Sequence, residues 1–226
     1  MISLSRRMEA VTELAGKGIC AADVGCDHGL VSMALVSRGR FERVIAMDIN
    51  EGPLSAAREN ISTEGLSDRI ELRLSDGLTA LEAGEADTVI IAGMGGELMS
   101  RILMSCPEKA RAAALVLEPQ SELRAFRRFL SEEGYAVTDE LMVKEEGKFY
   151  PVIRAVYGGR TETEEPYLSF GRKLLESGSG VLKEYLLKEK NRYTVILGGL
   201  PEGAEDRRLE VQEELKPIEA ALKLME

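Results

Sequence analysis

Cysteine is scarce in this 226-residue chain, with only Cys20, Cys26 and Cys106 present. The number is odd and no CxxC pair occurs. That argues against a disulfide framework or a structural zinc site and for reduced thiols in a cytoplasm. Long apolar runs are also lacking. No window approaches the roughly 20 apolar residues of a membrane span. Residues 1–5 run straight into a charged helical pattern, so no signal peptide and no membrane association are expected. Positive charge is short: 29 Lys and Arg face 39 Asp and Glu, a net charge of −10. This balance argues mildly against a nucleic-acid partner. Repeats and low-complexity tracts are missing as well. What is present is ordinary for a globular protein, 44% hydrophobic and 30% charged residues, which excludes a disordered acidic tail. The length allows one domain, or one domain with an appendage.

Residues 1–158 alternate short apolar runs with amphipathic stretches. The runs 19–24, 44–49, 70–74, 89–94 and 113–117 are bounded by Gly, Asp or Pro and read as strands buried on both faces. Between them, 30–37, 53–63, 97–105 and 121–133 read as helices. Pro53 suits a first helical turn, and the Ser121 hydroxyl suits a helix cap. This alternation predicts a parallel sheet covered by helices. Runs 135–144 and 148–157, joined by Glu145-Glu146-Gly147, leave no room for a helix and predict a hairpin. A parallel sheet ending in a hairpin matches the seven-strand layout of class I methyltransferases by analogy. Residues 158–166 have linker composition, and 167–226 read as helical. Leu182, Leu186, Tyr193, Ile196 and Leu200 form one apolar stripe, and Val211, Leu215, Ile218, Leu222 and Met225 form another. The stretch 198–203 separates them, which predicts an antiparallel helical hairpin. Pro217 should kink the second helix or mark a new start.

The sharpest local signal is Ala22-Asp23-Val24-Gly25-Cys26-Asp27-His28-Gly29-Leu30, between a predicted strand and a predicted helix. That is where parallel sheets bind nucleotides. A dinucleotide fingerprint needs glycine at its middle position so that backbone amides can hold a pyrophosphate. Asp27 stands there, where a carboxylate repels phosphate and favours a cation, such as the ammonium or sulfonium of S-adenosylmethionine. Asp23 adds a second carboxylate. The plainer reading is a tight turn. Asp48 ends the second predicted strand, where it can accept both ribose hydroxyls, with Ile49 and Asn50 beside it. Asp76 ends the third, where it can accept from an adenine amine, with Gly77 permitting close approach. Ala92-Gly93-Met94-Gly95-Gly96 ends the fourth. It lacks the Asn/Asp-Pro-Pro-aromatic motif of many adenine-amine methyltransferases and offers backbone amides and carbonyls to a flat base. His28, the single histidine, can orient substrate or relay a proton, or serve structure alone. Met99 and Met104 read as core residues, not a cofactor box. The basic residues Arg6, Arg7, Arg124, Arg127, Arg128, Arg172, Lys173 and the stretch 183–192 read, by charge alone, as a solvated face, without the aromatic interleaving of a single-strand binder.

The motifs Asp23-Val24-Gly25-Cys26-Asp27-His28-Gly29, Ala92-Gly93-Met94-Gly95-Gly96, Leu117-Glu118-Pro119-Gln120 and Glu146-Gly147-Lys148-Phe149-Tyr150 together resemble the TrmK-type tRNA (adenine(22)-N1)-methyltransferase family. The resemblance covers the whole chain, including Leu4-Ser5-Arg6-Arg7 and a coiled-coil-like C-terminal appendage. The chain departs from the family pattern at Cys26 and Gly29, and at Glu118 and Gln120, where Gln and Asn are usual. The resemblance implies a Rossmann-like α/β fold, with a methyltransferase domain at 1–158 and a helical hairpin appendage at 159–226. It implies methyl transfer from S-adenosylmethionine to N1 of adenine 22 in bacterial tRNA, with no metal. The base must be exposed or flipped, and catalysis is mostly orientation. Asp27 would stabilise the cationic product base or accept an N6 proton, assisted by His28, while Gly93, Met94 and Gly95 seat the base. Asp23, Gly25, Cys26, Asp27, Gly29, Asp48, Ile49, Asn50, Asp76, Gly77, Ala92 and Gly93 would hold the cofactor. Arg6, Arg7, Arg124, Arg127, Arg128, Lys148, Arg172 and Lys173 become candidate RNA contacts, and a monomer is the expected state. The rival readings are a methyltransferase for a small molecule or protein, and a non-catalytic cofactor-binding module.

Overall fold

The computed structural model describes residues 2–201 and 203–226; Met1 and Glu202, which fall within the first predicted segment and the inter-helix stretch, lie outside the described residues. The chain folds as α1 Arg6–Ala15, β1 Gly18–Val24, α2 Leu30–Ser37, β2 Phe41–Asp48, α3 Glu51–Thr63, β3 Ile70–Leu74, β4 Thr88–Met94, α4 Gly96–Ser105, α5 Pro107–Arg111, β5 Ala114–Pro119, α6 Leu123–Glu132, β6 Tyr135–Glu145 and β7 Lys148–Tyr157. After these come α7 Tyr167–Phe170, α8 Arg172–Glu176, α9 Gly180–Gly199 and α10 Glu205–Leu224. The seven strands form one sheet in the order β3-β2-β1-β4-β5-β7-β6. The first five are parallel, and the β6–β7 hairpin inserts antiparallel beside β5.

Alternate residues of the central strands feed two cores. Val89 and Ile91 of β4 face Met99, Leu103 and Phe126 on α4 and α6. Ile90 faces the opposite core with Val11, Leu35 and Ile61 from α1, α2 and α3. Burial on both faces is why these strands read as unbroken apolar runs.

The structure corrects several expectations. β2 begins at Phe41, because Glu42 and Arg43 point outward before both faces become covered. β5 runs on through Glu118 and Pro119, a buried pair of positions that apolar counting stops short of. α6 begins at Leu123: the Ser121 hydroxyl bonds the Glu122 carboxylate instead of capping, and Glu122 takes the left-handed conformation at the cap. Met99 is core, but Met104 is 59% exposed, on the outer face of α4. Helix α5, opened by Pro107, had no periodic signal in its five residues. Pro217 neither ends nor restarts its helix. α10 continues through it, and the carbonyl deprived of a donor belongs to Glu213, an exposed residue whose carbonyl water can satisfy.

The two long helices do pair, through Leu182, Leu186, Ile218 and Ala221. Their root, however, is anchored on the sheet. Leu174 and Leu175 of α8 and Met142 of β6 join the same cluster, and Tyr185 packs on Phe149 at 5.3 Å between ring centres. The α8–α9 layer thus packs on the β6–β7 hairpin at one end of the sheet.

Candidate active site

The carboxyl ends of β1, β2, β3 and β4 open into a cavity of about 720 Å³, within the roughly 300–1,000 Å³ typical of small-molecule sites. Asp23, Gly25, Cys26, Asp27, His28, Asp48, Ile49, Asn50, Asp76, Gly77, Ala92, Gly93 and Met94 all line it. These thirteen residues, spread over about seventy positions, are brought together because each sits at the carboxyl end of a parallel strand or in the turn that follows it. Gly29 and Gly95 do not line the cavity. They sit one step back, at the N-caps of α2 and α4.

The loop after β1 is built backwards onto β2: Gly25 and Cys26 both donate their N–H to the Met47 carbonyl, at 2.8 and 2.9 Å. Gly25 has φ +75°, and a Cβ there would overlap the Met94 methyl, so the position must be bare. Asp27 follows at φ 49°, a left-handed conformation that a non-glycine residue rarely adopts. The turn throws its carboxylate outward, 74% exposed and 3.7 Å from His28 Nε2. The two candidates for proton handling are therefore neighbours on one solvent-facing lip.

Asp23 is the opposite case. It is buried, and its carboxylate accepts a 2.6 Å hydrogen bond from the Ser32 hydroxyl. Burial pushes its pKa up to about 6, the Ser32 bonds oppose the rise, and the nearby Asp48 charge adds to it. Asp48 closes β2 and accepts the Asn50 N–H at 2.9 Å, which fixes the carboxylate at the cavity wall. Burial pushes the Cys26 thiol far up, with the charges of Asp23 and Asp48 adding to the effect, so Cys26 is a neutral wall residue rather than a thiolate. Among the described residues no group of three His, Cys, Asp or Glu could hold a metal ion.

Sequence reasoning missed one wall. Leu4 and Ser5, just before α1, and Arg7 and Met8 in its first turn line the cavity. Arg7 Nη1 lies 3.5 Å from Glu118 Oε2, Arg7 Nε lies 3.8 Å from Glu145, and the guanidinium sits 5.5 Å over the Tyr150 ring. The signal was long-range, because α1 reaches the cavity by packing on β6 and β7. Arg6 N–H donates to Glu145 and Arg154 donates to the Leu14 carbonyl, bonds spanning about 140 positions.

The remaining basic candidates divide. Arg6, Arg128 and Lys148 are exposed. Arg124 is exposed and paired with Glu165, and Lys173 is paired with Glu176. Arg172 is half-buried against Glu162 at 2.6 Å and stacked on Tyr167. Arg127 is a correction. It is buried, its guanidinium donates to Glu140 at 2.9 and 3.1 Å and to the Ser169 carbonyl, and no phosphate can reach it. Glu140 also accepts the Lys173 N–H, so this pair ties α6, β6 and α8 together. On α6 periodicity alone, Arg127 could not be told from its exposed neighbours.

The donor set suits a cationic nucleoside. Four carboxylates, from Asp23, Asp27, Asp48 and Asp76, line one cavity, and among the described residues the only charge acting on the buried Asp23 is that of Asp48. Asp48 closes β2 and Asp76 follows β3, and both stand on the cavity wall. An ammonium or sulfonium group would offset the charge that burial disfavours.

Residues 4–153 match a family described as a methyltransferase domain. The tRNA (adenine(22)-N(1))-methyltransferase of Bacillus subtilis is 34% identical over 191 residues, covering 84% of this chain and 77% of that one. The crystal structure of the B. subtilis m1A22 tRNA methyltransferase TrmK superposes with a TM-score of 0.85 at 28% identity, covering 98% and 99% of the two chains. A Streptococcus pneumoniae protein solved in complex with S-adenosyl-L-methionine superposes with a TM-score of 0.88 at 29% identity, covering 97% and 100%.

Proposed function

This chain belongs to the tRNA (adenine(22)-N(1))-methyltransferase family, and from that premise we propose how its own residues carry the activity. The enzyme uses S-adenosylmethionine, which supplies an electrophilic methyl on a sulfonium, and transfers that methyl to N1 of adenine 22 of tRNA. Asp48 accepts the ribose hydroxyls, Asp76 accepts the adenine amine beside the bare turn at Gly77, and Asp23 offsets the cofactor's positive charge from beneath.

The target adenine enters over the Gly93–Met94 end of β4. Its N1 lies on the pairing edge, so the base must leave its stack to reach the cavity. Gly93, at φ +76°, brings main chain rather than side chain to the base and lets the ring lie close. Orientation of N1 supplies most of the acceleration, because the transfer itself needs no covalent catalysis. As N1 becomes quaternary the ring gains positive charge. Asp27, on the lip with His28, attracts that charge and can take an N6 proton.

The observation that carries this reading is the acidic cavity at the sheet's switch point, closed by a bare Gly93 turn where a base can lie. The test is mass spectrometry of nucleosides from tRNA incubated with the protein and S-adenosylmethionine. N1-methyladenosine should appear at position 22 and be missing from a tRNA carrying guanine there. Methylation at another position, or of neither tRNA, would refute it.

A further inference from the structure

β4 does not end smoothly. Ala92 pairs with Glu118 and Met94 with Pro119, so Gly93 is an extra residue, a bulge. The extra residue of a bulge loses its ladder partner, and bulges re-aim the chain beside active sites. Here the Gly93 N–H donates to the side chain of Glu118, at 2.6 Å to Oε2. The residue opposite the bulge thus supplies the bond that the ladder cannot.

Glu118 is fully buried. Burial pushes its carboxyl up, and the Gly93 bond, the Arg7 charge and the Gln120 side chain oppose the rise. Its Oε1 is buried with no hydrogen-bond partner among the described residues. A buried acceptor left unmet is rare and asks for a reason. As core packing Glu118 is a poor choice, yet an apolar residue in its place would orphan the Gly93 N–H. The carboxylate does not line the cavity, but both of its partners, Gly93 and Arg7, do. Arg7 Nη1 and Gln120 Nε2 stand 3.7 and 3.9 Å from where a Gly93 side chain would begin. One buried carboxylate therefore fixes the main chain and the guanidinium that form the wall facing the base.

We propose that Glu118 is a positioning residue for methyl transfer, holding the β4 bulge and Arg7 in the geometry that aligns the target adenine. The proposal rests on the methyl-transfer reading above. It requires that Glu118 govern turnover rather than cofactor affinity.

The test uses the full-length chain with Glu118→Leu and Glu118→Gln, measuring single-turnover methyl transfer to tRNA and S-adenosylmethionine affinity by calorimetry. Glu118→Leu should slow the transfer by about tenfold or more, with cofactor affinity within about twofold, as expected when orientation alone is lost. Glu118→Gln keeps an oxygen for the Gly93 N–H and should recover most of the rate. Wild-type turnover in Glu118→Leu overturns the proposal alone. Loss of cofactor binding together with turnover would make Glu118 structural and also overturns it, as does a Glu118→Gln as slow as Glu118→Leu. A wild-type protein that methylates no tRNA overturns the underlying reading and the proposal with it. Should Glu118→Leu melt below the assay temperature, amide exchange of Gly93 in Glu118→Gln decides. Exchange as slow as in wild type supports the assignment, and fast exchange overturns it.

Discussion

Asp23 and Asp27 are four positions apart and do opposite things, because one is buried under Ser32 and the other is thrown outward by a left-handed turn. For Asp23 the consequence is a pH dependence. Its folded pKa, about 6, lies above the ordinary 3.8, so the folded state binds the proton more tightly than the unfolded one. Stability without cofactor should therefore fall as pH rises from about 4 to about 6 and level off above. Set against Asp23→Asn, which cannot ionise, wild type should lose up to roughly 3 kcal/mol over that range, two pKa units' worth. Denaturant titrations at several pH values measure the gap, and a constant gap would mean that Asp23 is not desolvated. Asp48→Ala should weaken S-adenosylmethionine binding by roughly 1.5–3 kcal/mol, the range for hydrogen bonds to a charged group. Unchanged calorimetric affinity would remove Asp48 from the site. Asp27→Asn keeps the shape and removes the charge. Methylation should fall strongly while the melting temperature barely moves, and a wild-type single-turnover rate would exclude a charge role for Asp27 in the transfer.

Elements were legible wherever a local period sufficed. The five parallel strands, the hairpin and helices such as α2 follow from runs and breakers, and the cavity residues follow from standing at the ends of those runs. What stayed hidden was decided by partners far away in sequence. Arg7 reads as a surface cation until α1 is laid across β6 and β7. Arg127 reads as one of a basic pair until Glu140 is brought beneath it. The bulge at Gly93 is invisible in β4 and exists only in register with β5. The docking of α8 makes a test at this scale. Gly171 has φ +85°, and a Cβ there would overlap the Glu140 carboxylate. Gly171→Ala should therefore lower the melting temperature by several degrees through strain and a displaced Arg127–Glu140 pair. An unchanged melting curve would show that α8 yields without disturbing the pair.

At the scale of the whole molecule an acidic protein must meet an acidic partner. α9 carries Lys183, Lys188, Lys190 and Arg192 against Glu184 and Glu189, while α10 holds the larger share of carboxylates. Lys190 reaches Glu219 and Arg192 reaches Glu189. Exposed pairs of this kind are weak, so phosphate can compete for both cations. Fields are local in salt, with a screening length of roughly 8 Å under physiological conditions. A chain ending after α8, at Gly178, keeps the Arg127–Glu140 tie and should still bind S-adenosylmethionine. It should bind tRNA more weakly and with a shallower salt dependence. Equal affinity and equal slope would leave α9 and α10 a role in stability alone. A chain ending at Gly159 should melt lower than either, because it strips Met142 and the buried ion pair of their cover.

The seating of α1 also bears on synthesis. Arg6 is tied to Glu145 and the last turn of α1 to Arg154, and this helix supplies the wall that carries Arg7. On a ribosome adding roughly 5–20 residues each second, α1 emerges on the order of ten seconds before the hairpin that receives it. Until then its apolar face, Val11 and Leu14, can rest on β4 and β5 but lacks the strands that tie down its two ends. The nascent protein can assemble the cofactor end of the cavity well before the base end, so a half-made chain would hold a methyl donor with nowhere to place an acceptor.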